Sequence, residues 1–258
     1  MKYSNKPCKE RTDLLIKLLE NSKAEIIGLQ EVIPKFLRKL LNQQWVKDSY
    51  YLTEITGNSF CGYGNIIMTS LRPSCFYTIP LESFMGRQLI VAEFIVTTRS
   101  GSLETLRVGV VHLESLASNH ELRAYQCKQI FPFLSLPDQQ TKRVHAVLMG
   151  DFNYDPKSKE EENVTAVPEQ PFLDCWHSAN PDDDGPTRYV NYPEENKHPV
   201  RLDRILLHSP NARVHPISCV TLGSECVPME SKNPEYQVVY PSDHLGLLCH
   251  LQVLRKNR

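Results

Sequence analysis

Three absences narrow the reading of this 258-residue chain before any motif is considered. Its eight cysteines include no Cys-x-x-Cys pair, which removes the spacing expected of a zinc site or a disulfide framework. The thiols read as reduced, mostly core residues of an intracellular protein, nuclear or cytoplasmic. No apolar stretch approaches the roughly 20 residues that span a bilayer. The N-terminal Met1-Lys2-Tyr3-Ser4-Asn5-Lys6 has no apolar segment of the secretory kind. Charge of neither sign is in surplus: 29 basic residues against 30 acidic ones leave a formal net charge of -1. Nothing global therefore attracts nucleic acid or an anionic membrane, and any phosphate binding must come from a local patch. No repeat or interdomain linker is visible, so residues 1–258 are read as one monomeric domain.

What is present is an alternation of helical stripes and short apolar strands. Glu10 to Leu19 carries a stripe of Leu14, Leu15, Leu18 and Leu19. Ala24 to Val32 reads as a strand ending on an acid, and Pro34 opens a second helix. Ser49 to Ile55 and Tyr63 to Thr69 read as strands about a glycine-rich turn, and Arg87 to Thr97 with Leu106 to Glu114 as a long hairpin. A helix over Asn119 to Leu134 and a strand over Val144 to Met149 follow. Lys157 to Gln170 reads as a charged, mobile surface loop. Asp182 to Pro186 is a turn cluster. Arg201 to Leu207 reads as a strand with Asp203 inside it, and Leu245 to Val253 as a buried strand.

The chemistry sits where these strands begin or end: Glu31, His112, Asp151 with Asn153, and Asp243 with His244, joined by Asp203 in its own apolar run. Read singly, each has a plainer explanation. Glu31 is a helix-entry acid, Asp151 and Asn153 form an Asx turn, Asp203 pairs with Arg201 or Arg204, and Asp243 is a cap beside a surface His244. Together at strand ends they favour a site, because strand-end loops deliver the chemistry of sheet proteins. Carboxylates without cysteine or clustered histidine ligands suit a hard, oxygen-liking cation, most simply Mg²⁺, with Mn²⁺ as the alternative. Such a set suits phosphoryl chemistry, in which a carboxylate aligns water and an imidazole donates to a phosphoryl oxygen.

Leu29-Gln30-Glu31, His112-Leu113-Glu114-Ser115, Gly150-Asp151-Phe152-Asn153, Leu202-Asp203-Arg204 and Ser242-Asp243-His244 resemble, in this order, the motif set of the endonuclease/exonuclease/phosphatase superfamily. The resemblance spans about residues 10 to 254. It implies an α/β fold, a four-layer sandwich of two mixed β-sheets flanked by helices. It also implies roles. Glu31 resembles the Mg²⁺ ligand, with Asp243 adding to the metal shell directly or through water. Asp151 resembles the acid that activates water, and Asn153 the residue holding water or a phosphoryl oxygen. His244 resembles the imidazole that stabilises the pentacovalent phosphorus, oriented by Asp203. His112 resembles a second imidazole over the phosphate, with Ser115 beside it. His112-Leu113-Glu114-Ser115 and the run from Pro241 to Cys249 most resemble the branch that hydrolyses 5'-phosphotyrosyl ends of DNA, left by abortive topoisomerases, which places the chain in DNA repair.

Single-stranded DNA would need a stacking wall, for which Tyr189 or Phe152 is available, although packing is the plainer role of either. Two departures stand against the resemblance. The family opens with a strand ending in a Thr-Trp-Asn type motif. Here no apolar strand precedes the first helix, only a short, mainly polar stretch with Asn5 in it, so the chain is expected to be truncated at its N-terminus and to lack that strand. Asp155 stands where the 5'-phosphotyrosyl branch has Arg, and Thr187-Arg188-Tyr189 stands for its Thr-Trp-Asp. The alternatives are another phosphodiesterase of the superfamily, acting on DNA, RNA or a lipid head group, or a catalytically weak fragment acting as a binding module.

Overall fold

The structure is a computed structural model that describes residues 9–97, 101–137, 143–162, 172–188, 199–210, 213–228 and 238–253. Asn5, Tyr189 and the later part of the 157–170 segment lie outside the described residues. Four layers follow one another. The first holds helices α1 (Lys9–Ser22), α2 (Pro34–Leu41) and α3 (Gln44–Ser49). They cover a three-stranded sheet of β1 (Ile26–Val32), β3 (Gly64–Thr69) and β2 (Tyr51–Leu52), ordered β1-β3-β2.

Behind it lies a six-stranded mixed sheet of β4 (Cys75–Pro80), β5 (Gln88–Thr97), β6 (Leu103–His112), β7 (Val144–Asp151), β9 (Asp203–His208) and β8 (Leu173–Asp174), in that spatial order. Only β6 and β7 run parallel, joined by α4 (His120–Ser135), which covers the outer face. A short helix, α5 (Cys175–Ala179), follows β8. The hairpin of β10 (Val214–Leu222) and β13 (Gly246–Val253), and the small pair β11 (Val227–Pro228) and β12 (Val238–Val239), complete the described strands.

Side-chain alternation makes these layers. On β5, Leu89 and Val91 join the core beneath α4, while Ile90, Ala92 and Phe94 turn the other way into the core between the sheets. On β3, Ile67 enters the inter-sheet core while Ile66 and Met68 meet α1 and α2. The sheets approach each other tightly at Gly28: a Cβ there would stand 2.5 Å from Val110 Cγ2 and 3.4 Å from Met149. Glycine at this point therefore sets how near β1 lies to the strands that end in His112 and Asp151.

Several expectations need correction. The segment 49–55 is a helix end and a two-residue strand rather than one strand. Within 157–162, Lys159–Glu161 forms a 3-10 turn tied to the core, because Glu160 binds Arg123 at 2.7 Å and Glu161 binds Arg204. Asp203 opens β9 rather than interrupting it. β13 pairs with β10 and buries only one side, turning Leu247, Cys249 and Leu251 inward. Of the seven described cysteines, all free, Cys127, Cys175 and Cys219 are buried but Cys61, Cys75 and Cys226 are exposed, in loops and on an edge strand. No helix among the described residues is long and apolar enough to cross a membrane.

Candidate active site

Strand register assembles the centre of the site. His112 ends β6, Asp151 ends β7 and Asp203 begins β9, and the pairings His112 with Asp151 and Asp151 with Asp203 set the three side by side in one row. Just before Asp151, Gly150 has φ 142°, and a Cβ there would lie 1.9 Å from the Val111 carbonyl oxygen. Only glycine permits that approach.

His244 reaches the row from the loop before β13. Its backbone bridges Arg188, and the Leu245 amide donates to the Thr187 carbonyl at 2.6 Å. The Thr187 hydroxyl accepts from the amides of Leu202 (3.0 Å) and Asp203 (3.1 Å). Thr187, buried and given no role of its own in the sequence reading, thus ties the His244 loop to the start of β9.

Asp203 and His244, paired in the sequence argument, touch: His244 Nδ1 lies 2.8 Å from Asp203 Oδ2 and 4.0 Å from Asp151 Oδ2. Burial works against the charged imidazole. The hydrogen bond and charge of Asp203, with the charges of Asp151 and Asp243, outweigh it and carry the His244 pKa up to about 9. Asp151 moves the opposite way from an ordinary carboxyl: burial, then the Asp203 charge, raise its pKa, against the pull of His244, the Asn153 amide and Arg188. Its Oδ1 accepts from the Asn153 amide at 2.7 Å, while the Asn153 side-chain amide donates to the Leu113 carbonyl at 2.9 Å. Asn153 is held at φ 56°, a left-handed conformation that Asn adopts more readily than other side-chain-bearing residues. As placed, its amide nitrogen braces the loop.

His112 is held differently. Arg87 Nη1 lies 2.9 Å from His112 Nδ1. A guanidinium can only donate, so Nδ1 accepts and the ring proton sits on Nε2, which lies 3.6 Å from Asp151 Oδ2. Burial, then the charges of Arg87 and His244, lower the His112 pKa to about 3, so this imidazole is neutral. Arg87 Nη2 donates to Ser115 Oγ at 2.8 Å. The sequence reading missed Arg87; its one signal there is a basic residue entering the strand that pairs with the His112 strand.

Glu31 stands across His112 from Asp151, its Oε1 4.0 Å from His112 Nδ1 and its side chain 66% exposed. It sits at a β-bulge of β1 with φ 54°, so two of the left-handed non-glycine residues belong to the site, where such strain gathers. Asp243 is exposed. The cluster of potential ligand atoms within 4.8 Å comprises Asp151, Asp203 and His244, without Glu31 or Asp243. His244 Nδ1 is bonded to Asp203 and the raised pKa keeps a proton on Nε2 as well, so the ring offers no lone pair and the donors left for a cation are carboxylate oxygens. That chemistry fits a hard divalent metal and not a soft one. Phe152 is 0% exposed, its ring 6.0 Å from Tyr154 with the Arg204 guanidinium 5.5 Å above it. It is core and offers no stacking wall. Phe84, 85% exposed, stands in the loop leading to Arg87.

A model of the Endonuclease/Exonuclease/phosphatase family matches residues 4–244. No curated protein matches the sequence. Among solved structures, D. rerio TDP2 (tyrosyl-DNA phosphodiesterase 2) complexed with single-strand DNA product is similar at a TM-score of 0.71 and 23% identity, over 95% of this chain and 92% of that one. Truncated Caenorhabditis elegans TDP2 is similar at 0.68 and 21%, over 95% and 90%. The human Nocturnin catalytic domain with bound sulfate is similar at 0.65 and 17%, over 96% and 87%.

Proposed function

The chain belongs to the endonuclease/exonuclease/phosphatase family of metal-dependent hydrolases, and from that premise we propose that it is a Mg²⁺-dependent phosphodiesterase acting on 5'-phosphotyrosyl ends of single-stranded DNA, as a monomer in DNA repair in the nucleus or cytoplasm. The observation that carries the reading is the strand-end row His112, Asp151 and Asp203, with His244 hydrogen-bonded to Asp203. Similarity to the TDP2 structures and the His112–Ser115 and Pro241–Cys249 motifs support the choice of substrate.

Glu31, with Asp243 directly or through water, would hold the metal, which neutralises phosphoryl charge when bound. Asp151, its pKa raised, takes a proton from the attacking water and aligns it, with Asn153 keeping the Asp151 loop in shape. His244, charged and aimed by Asp203, donates from Nε2 to the phosphoryl oxygens as negative charge accumulates. His112 Nε2–H and the Ser115 hydroxyl offer two uncharged donors from the opposite side. Phe84 offers a ring to the unpaired bases or the tyrosyl group.

A second reading, a nuclease or other phosphodiesterase of the same family, is favoured by Asp155 and Arg188 at positions where the 5'-phosphotyrosyl branch differs. Turnover on a 5'-phosphotyrosyl oligonucleotide, on DNA and RNA without the adduct, and on sphingomyelin separates the readings. Cleavage of the adduct at least tenfold faster than the rest is expected, with a Mg²⁺ requirement shifted to higher concentration in Glu31→Gln. Faster cleavage of an unmodified strand overturns the substrate assignment. An unchanged Mg²⁺ dependence removes Glu31 from the metal site.

A further inference from the structure

Among the described residues, five buried arginines divide into two kinds. Arg107 binds Glu93 at 2.9 Å, Arg123 binds Glu160 at 2.7 Å, Arg201 binds Asp174 at 2.6 Å, and Arg204 binds Glu161 and Asp174. Each has a carboxylate. Arg87, 5% exposed, has none among the described residues. Its terminal nitrogens meet only neutral groups: His112 Nδ1 at 2.9 Å, Ser115 Oγ at 2.8 Å, and Tyr63 Oη and Met85 Sδ at 3.5 Å each. Its Nε is buried without a hydrogen-bond partner. Two carboxylates come near the same network without an ion pair to Arg87: Glu31, its Oε1 4.0 Å from the His112 Nδ1 that Arg87 binds and its side chain mostly in solvent, and Glu114, at one remove. The Ser83 hydroxyl donates to Glu114 Oε2 at 2.6 Å and accepts from the Arg87 backbone amide at 3.0 Å, while Glu114 Oε1 is itself buried without a partner.

A buried cation without a counter-ion is strongly disfavoured, and proteins retain one where a ligand supplies the missing charge. We propose that Arg87 is a positioning residue whose counter-charge is the scissile phosphoryl group. It pins His112 as the Nε2–H tautomer and, by donating to Ser115 Oγ, leaves the serine hydroxyl proton free to donate. Two neutral donors on one side of the phosphate are thus aligned and polarised by a single cation behind them. The assignment of the anion rests on the phosphodiesterase reading; the tautomer and the uncompensated charge do not.

The test compares Arg87→Met, Arg87→Lys and Arg107→Met in the whole chain. A purely structural arginine stabilises the fold through its partners, so Arg107→Met lowers Tm. Arg87→Met should keep Tm within about 2 °C of the parent or raise it, since it removes an unpaired buried charge. Its kcat/KM on a 5'-phosphotyrosyl oligonucleotide should fall about 10- to 100-fold, the scale of one lost transition-state contact. Metal-free affinity for a 5'-phosphorylated single strand should fall with it. Long-range ¹H–¹⁵N spectra should show His112 protonated on Nε2 in the parent and as a mixture of tautomers in Arg87→Met. Arg87→Lys keeps the charge but not the two-nitrogen fork, and should recover only part of the activity. The proposal is overturned by a Tm loss in Arg87→Met as large as that of Arg107→Met, or by an unchanged tautomer and unchanged affinity for the phosphorylated strand. Should the parent prove inactive on phosphotyrosyl DNA, the substrate reading fails, while Tm and the His112 spectrum still decide the role of Arg87.

Discussion

Replacing Asp203 with Asn tests the site most directly, because two separate consequences can be worked out from one 2.8 Å contact. The first is charge. Raising His244 from 6.5 to about 9 corresponds to about 3 kcal/mol of preference for the imidazolium, at about 1.4 kcal/mol per tenfold. Without the Asp203 carboxylate, burial acts against that charge with only Asp151 and Asp243 opposing it. The pKa should return to about 6.5 or below, so at pH 7.5 no more than about a tenth of the protein carries the charge. The second consequence is aim, since an amide does not select the tautomer as a carboxylate does. Together they predict a loss of about 10² in turnover. Lowering the pH from 7.5 to 6 should raise the turnover of Asp203→Asn relative to that of the parent. Stability follows the same linkage. A folded pKa above the unfolded value contributes stability that is complete below about 6.5 and is lost as pH rises through about 9. The Tm gap between parent and variant should therefore close across that window. Turnover of the parent, Asp203→Asn, His244→Ala and the double variant decides the matter. A double variant no worse than the worse single is expected; two losses that multiply refute the unit.

Two further outcomes follow from the scaffold. Gly28→Ala drives a methyl group to 2.5 Å from Val110 and should destabilise by about 1–3 kcal/mol, read as about 2–4 °C of Tm per kcal/mol. A Tm equal to the parent's would show that the sheets are free to part there. Glu54 accepts from the amides of Ile55, Thr56 and Gly57 and from Ser59; burial opposes its ionised form, but the hydrogen bonds prevail and lower its pKa to about 2. Its contribution is present above about 4.5 and lost as pH falls toward 2. Amide protection at 55–57 should thus fall over that range in the parent and stay uniformly low in Glu54→Gln; protection in the parent that does not change with pH would exclude the carboxylate as its source.

The parts of the site that were legible in the sequence are those that break an apolar pattern. Asp203 stands against Leu202 and Ile205 to Leu207, and an acid there needs a partner, which is how it pointed to His244 41 residues away. His112 and Asp151 were legible because each closes an apolar run. What hid were groups whose meaning depends on distant neighbours. Arg87 is one basic residue among 29 until the fold withholds a carboxylate from it. Glu160 and Glu161 lie in a run of charges that reads as solvated loop, yet they neutralise Arg123 and Arg204 from 37 and 43 positions away. Register hid for the same reason. Whether β13 is buried on one face or two depends on which strands flank it, and Leu245 to Val253 is apolar enough for either.

The two histidines show how one sheet edge makes opposite tools from the same side chain. His244 receives a carboxylate on Nδ1, so that nitrogen donates, the ring charges readily and Nε2 is left for the substrate. His112 receives a guanidinium on Nδ1, so that nitrogen accepts and the ring stays neutral with its proton on Nε2. Both arrangements present an Nε2–H, but only one presents a charge. Two imidazolium ions facing one phosphate would bind ground state and transition state alike, and uniform binding does not raise turnover. In the proposed mechanism, a single charged donor beside Asp151 would answer the negative charge that develops when water attacks. On the same proposal, the neutral pair of His112 and Ser115 would hold the phosphate without competing for the proton that Asp151 would take. Exchanging the partners would cancel this division of labour: a carboxylate at position 87 would charge His112 and leave Asp151 between two cations. That would lower its pKa and weaken it as a base.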